Sequence, residues 1–150
     1  MLGEVDFTNL GFSPLGDPHF KYDVYQGGLE LASGAGTITW ETHQVVAYLT
    51  GFNTPNTRID DKIAVQGASA GVTQTGENYT SMIDSTAALK RKFDLGCRKH
   101  FYAGKITVTP DNKPARTVDY GNDIPEVCDD IATVTVNGQT YTISLDDTHE

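Results

Sequence analysis

Apolar and polar side chains alternate along most of this chain with a period of two, the spacing of strands that bury one face. The clearest case is Ile131-Ala-Thr-Val-Thr-Val-Asn137-Gly138-Gln-Thr-Tyr-Thr-Ile-Ser-Leu145, two alternating runs joined by Asn-Gly. A type I′ turn needs positive φ at both central residues, which Asn and Gly tolerate, so the motif predicts a C-terminal hairpin with a two-residue loop. That turn pairs Val136 with Gln139. Counting outward, Val134 falls opposite Tyr141 and Ala132 opposite Ile143, while Thr133, Thr135, Thr140 and Thr142 share the other face.

The same pattern recurs upstream between turn formers. Residues 1–18 carry Gly, Pro, Asn and Asp at short intervals and read as an irregular N-terminal arm or a short edge strand. Phe20-Lys-Tyr-Asp-Val-Tyr25 alternates and is closed by Gly27-Gly28. Thr37 to His43 puts Ile38 and Trp40 on one face, with Trp40 as a core plug, and Gln44 to Thr50 continues it or pairs with it. Ile59–Gln66 and Ala70–Thr75 read as two strands about a bend at Gly67-Ala-Ser69. Tyr79–Ile83 follows. Ser85–Phe93 suits a short helix by composition and a strand by position, and the strand is favoured, with Leu89 and Phe93 inward, Arg91 between them and Lys90 and Lys92 facing water. Lys105–Thr109 and Ala115–Tyr120 flank a turn at Pro110–Pro114 and form another hairpin. The whole predicts one all-β domain over residues 1–150, a single antiparallel β-sandwich or partly open barrel of about 8–10 strands.

Composition supports strands and bounds the function. The chain has 150 residues, with 15 Gly, 7 Tyr and 6 Phe, enough for one ordinary core. Its formal charge of −9 opposes nucleic-acid binding, which depends on neutralising phosphates. No apolar run is long enough for a transmembrane helix. The start Met1-Leu-Gly-Glu-Val-Asp6 lacks the basic segment and apolar run of a secretory signal, so the chain is cytoplasmic or stands without its leader. Cys97 and Cys128 lack the close spacing of zinc ligands, which leaves a disulfide or two free buried thiols.

No motif commits the chain to catalysis. Gly67-Ala-Ser-Ala-Gly71 lacks the strand-to-helix setting of a nucleophile elbow and reads as a turn. Asp119, Asp123, Asp129 and Asp130 could offer oxygens to Ca²⁺, although solvated turn residues explain them as well. Lys90, Lys92, Arg98, Lys99, His100 and Tyr102 form a local reversal of sign in an acidic chain, suited to an anionic glycan or a partner's acidic face. Trp40, Tyr48, Phe52, Tyr25 and Tyr102 are candidates for stacking on sugars, against a default of core packing.

Gly104-Lys-Ile-Thr-Val-Thr-Pro110, Val118-Asp-Tyr-Gly-Asn122 and Cys128-Asp-Asp-Ile-Ala-Thr-Val-Thr-Val-Asn-Gly138, with Leu95-Gly-Cys97 before them, resemble a group of uncharacterised secreted or lipoprotein-like proteins of Bacteroidota. The likeness spans about residues 36 to 145. It departs at Asp130, where Asn is usual, and in a longer Gly121–Cys128 connection. The resemblance implies export to the periplasm or cell surface, and with export a Cys97–Cys128 disulfide. It carries no catalytic positions. The reading that follows is a non-catalytic, exported binding or surface-structural module for a glycan or protein partner. The alternatives are a glycan-active hydrolase using clustered carboxylates and a Ca²⁺-stabilised, adhesin-like domain.

Overall fold

The computed structural model describes residues 2–14, 16–31, 35–54, 56–94, 97, 99–122, 126 and 128–145. The chain is all-β. Among the described residues, ten antiparallel strands form one open sheet: β1 Leu2–Phe12, β2 Pro18–Glu30, β3 Thr37–Thr50, β4 Lys62–Val72, β5 Asn78–Ile83, β6 Leu89–Lys92, β7 Lys105–Pro110, β8 Arg116–Asp119, β9 Ile131–Val136 and β10 Gln139–Ser144. The order is β1-β2-β3-β4-β5-β7-β8-β9-β10, with β6 paired beside the first half of β4, so sequence neighbours are almost always spatial neighbours. The sheet does not close into a barrel.

The terminal hairpin has the expected register, Gln139 against Val136 and Ile143 against Ala132. Asn137 and Gly138 take φ of 52° and 76° at its turn. Three strands are longer than their sequence segments suggest. Residues 2–12 are an eleven-residue edge strand paired with β2, not an irregular arm. β2 runs through Gly27 and Gly28, after a bulge at which Gln26 adopts φ of 50°. β4 passes without a break from Lys62 to Val72, so Gly67-Ala-Ser-Ala-Gly71 is strand and not a bend. Pairing with β3 holds Gly67 in the strand, and pairing with both β3 and β5 holds Gly71, which local turn propensity could not oppose.

Alternation divides the sheet into two unlike faces. One carries Val46, Val65, Ile83 and Leu89, the last three only 7%, 5% and 3% exposed, packed with Ile63, Phe101, Ile106 and Tyr120. β6 lies in this core as a strand: Leu89 pairs with Val65, and Arg91 lies 5.3 Å over the Phe93 ring. Asp84 Oδ1 accepts from the backbone N–H and the hydroxyl of Thr86, closing the turn between β5 and β6. The other face is polar, with hydroxyl pairs Thr107–Thr117 at 3.0 Å and Thr135–Thr140 at 2.9 Å across the strands.

Candidate functional site

A row of residues in register crosses four strands: Gly27 of β2, Trp40 of β3, Gly71 of β4 and Tyr79 of β5. Glycine within a strand lets another group approach closely, and both do so here. A Cβ at position 27 would come within 2.7 Å of Trp40 Cε2, and one at position 71 within 2.8 Å of the Tyr79 hydroxyl, so each ring lies down over a bare backbone. Around this row opens a groove of about 510 Å³, lined also by Gln26, Thr39, Glu41, Ala70, Val72, Asn78, Thr80 and Asp111. Its size falls within the usual range for small-ligand sites. Alternation assigns the side chains of Thr39, Glu41, Ala70, Val72, Asn78 and Thr80 to the polar face of the sheet and the Trp40 and Tyr79 rings to the apolar one. Asn78 Nδ2 donates to Asp111 Oδ2 at 2.8 Å, which fixes the amide and one carboxylate relative to each other.

Of the aromatic residues singled out from sequence, only Trp40 lines this groove. Tyr48 and Phe52 join Phe20 in a ring cluster elsewhere, with centroids 5.6 to 6.0 Å apart. Tyr25 packs on His43 at 5.6 Å. Tyr102 is buried at 4% exposure. Asp111, Gln26 and Glu41 carried no motif. Gly71, inside an alternating run, is the signal that could have pointed to them.

The basic cluster is neutralised in part. Lys92 and Lys62 both pair with Glu126, Lys62 at 2.6 Å, and the Lys92 side chain is only 16% exposed, in contrast to the water-facing position its alternation implies. Lys92 also sits 5.5 Å over the Tyr102 ring. His100 Nε2 lies 3.9 Å from Asp130. Lys90 bonds through its backbone to Tyr102 and Ala103. Lys99 lies in the same connection and engages a neighbour of its own. Arg98 lies outside the described residues.

The carboxylates suggested for Ca²⁺ serve local structure. Asp119 pairs with Lys105 at 2.9 Å and accepts from the Gly121 N–H, and Asp129 accepts from the Ile131 N–H at 3.3 Å. Asp123 lies outside the described residues. Among the described residues no three His, Cys, Asp or Glu side chains gather as a metal site. Cys97 and Cys128 are joined, with Cα atoms 5.2 Å apart. No helix among the described residues is long and apolar enough to cross a membrane.

A second polar centre lies on the polar face of β2 and β3. Asp23, with its side chain 3% exposed, accepts from Lys21 at 2.7 Å and contacts His43 Nδ1 at 2.8 Å. The Lys21 hydrogen bond first, then that of His43, hold its carboxyl below the ordinary aspartate value. A depressed folded pKa contributes stability that is fully present above the unfolded value near 3.9 and disappears as pH falls through the folded one. The melting midpoint should therefore hold from neutrality to about pH 5 and decline below about pH 4. Asp23→Asn should lower the midpoint at neutral pH and flatten that decline, leaving the part due to Glu126 and Asp84, whose carboxyls are lowered in the same direction. An acid limb of unchanged depth in the variant would refute the assignment.

Compared with family models, curated proteins and solved structures, the chain matches none.

Proposed function

We propose that this chain is a non-catalytic, exported binding module whose Trp40–Tyr79 groove takes a neutral glycan. The observation that carries this reading is a groove of about 510 Å³ at two rings, laid over Gly27 and Gly71, and bordered by Asn78, Asp111, Glu41, Thr39 and Thr80. Sugars present hydroxyls to such donors and acceptors and C–H faces to rings. Carboxylates in the walls, on a chain of charge −9, repel anionic polymers and leave uncharged ones as the class accepted. The disulfide supports an oxidising compartment.

Trp40 is the only tryptophan, so its emission reports on the groove directly. Titration with soluble neutral polysaccharides is expected to change Trp40 fluorescence, and Asp111→Ala, which frees Asn78, should weaken binding about tenfold, the scale of one lost polar contact. Silence across a broad panel of neutral polysaccharides would overturn the proposal. A hydrolase is the second reading, because Glu41 and Asp111 both line the groove. It requires the pair to flank one glycosidic bond as acid and base. Release of reducing ends from a bound polysaccharide, abolished by Glu41→Gln and Asp111→Asn, would select it.

A further inference from the structure

We propose that the uncharged face of β1–β3 is a two-fold interface between two copies of this chain. Register places every Asp, Glu, Lys and His of these three strands on one face: Glu4, Asp6, His19, Lys21, Asp23, Glu30, Glu41 and His43. The opposite face carries Val5, Phe7, Phe12, Phe20, Val24 and Leu29 along β1 and β2, and Ile38, Trp40, Val46 and Tyr48 along β3, with the uncharged Asn9, Tyr22, Thr42 and Gln44 among them.

That apolar face is left open to solvent at its β1 end. Phe7 is 65% exposed, Phe12 70% and Val5 52%. Phe7 stacks on Phe20 at 5.1 Å and Phe12 meets Phe52 edge-on at 6.4 Å, so the exposed rings form one continuous patch with the cluster around Tyr48. A contiguous apolar patch of this kind marks an interaction surface.

Area and charge select a second copy as its occupant. The chain exposes 9832 Å². A compact monomer of 16.3 kDa is expected to expose about 7,500 Å². The excess, on the order of 2,000 Å², is spread over both sides of a single-layer sheet, and a standard interface takes roughly 800 Å² per partner. Two chains of charge −9 repel each other over most approaches, yet this face brings no ionised group to the contact. A sheet with one apolar face completes a sandwich against a second sheet, and a two-fold axis lets each copy supply that sheet to the other. Trp40 and Tyr79 lie on this same face, so pairing and ligand binding use one side of the sheet.

Sedimentation equilibrium over a wide concentration range should give twice the 16.3 kDa chain mass. Phe7→Asp places a carboxylate in the centre of the contact and should raise the dissociation constant at least about 30-fold, the scale of a hot-spot residue. Its exposure makes the substitution compatible with folding, which far-ultraviolet circular dichroism checks, and Phe12→Asp is the second variant should Phe7→Asp not fold. Met82→Asp, equally exposed at 64% but on the polar face, should leave the dimer intact. A monomer at every concentration overturns the proposal, as does equal dissociation by Met82→Asp or open-ended association. A monomer that floats with phosphatidylcholine vesicles also overturns it and assigns the patch to lipid.

Discussion

Removing the Cys97–Cys128 bridge, by the double substitution to serine, should lower the melting midpoint by about 10 °C. The bridge closes 31 residues of sequence separation and ties the connection after β6 to the start of β9. In the chain-entropy treatment a loop of this length is worth roughly 3–4 kcal/mol, and each kcal/mol moves the midpoint of a chain this size by about 2–4 °C. The native side reinforces the effect. Cys97 is 5% exposed and its N–H bonds to Asp94, while Glu126, two residues before Cys128, holds Lys62 and Lys92. Loss of the bridge therefore frees a segment whose ion pairs anchor it to β4 and β6. Calorimetry of the double variant checks this, and a midpoint within a degree or two of the parent would show that the bridge contributes nothing to stability.

Gly67→Ala should be among the most damaging single substitutions in the molecule. Gly67 sits inside β4 at φ of 135°, a region that residues with a Cβ rarely enter. Its Cβ would lie 2.1 Å from the His43 carbonyl oxygen and 2.8 Å from Gln44 Cα, both backbone atoms of the paired strand β3. Neither can move without breaking the ladder. Strain and overlap together should cost roughly 3–5 kcal/mol, at the high end for point substitutions. Gly76 provides the control, because it also has positive φ, at 80°, but nothing within 4 Å of its would-be Cβ. Gly76→Ala should cost about 1–2 kcal/mol, since only the dihedral is strained. Denaturant unfolding of both variants checks the order, and equal losses would remove the close-contact explanation.

Strand content and the terminal hairpin were legible because they depend on local information. Asn137-Gly138 sets a turn and the turn sets the register, so each side chain's face follows by counting. The same counting placed Leu89 in the core and Trp40 opposite its polar neighbours. Breaks were misread where glycine was taken as punctuation. Gly27, Gly67 and Gly71 are interior strand residues whose missing side chains make room for Trp40, for the β3 backbone and for Tyr79. The N-terminal residues looked irregular for a related reason: Gly3 and Gly11 lie at register shifts in β1, and bulged pairing with β2 absorbs them.

The candidate site was less legible than the fold. Tyr79, Asn78 and Asp111 border the same groove as Trp40 only because β5 lies beside β4 and β7 beside β5, across intervals of 38 residues and more. The basic cluster shows the converse, since its sign reversal along the chain is offset by Glu126, which arrives from a distant loop.

From alternation, turn chemistry and charge, this chain is bound to be an acidic all-β protein with one apolar and one polar side to its strands. Those properties depend on near neighbours along the backbone, whose geometry repeats every two residues. Which strands stand side by side, that the sheet stays open, and that two rings and several polar groups share a groove depend on contacts between residues far apart in sequence. Such contacts are selected by the free energy of the folded whole, and no local pattern encodes them.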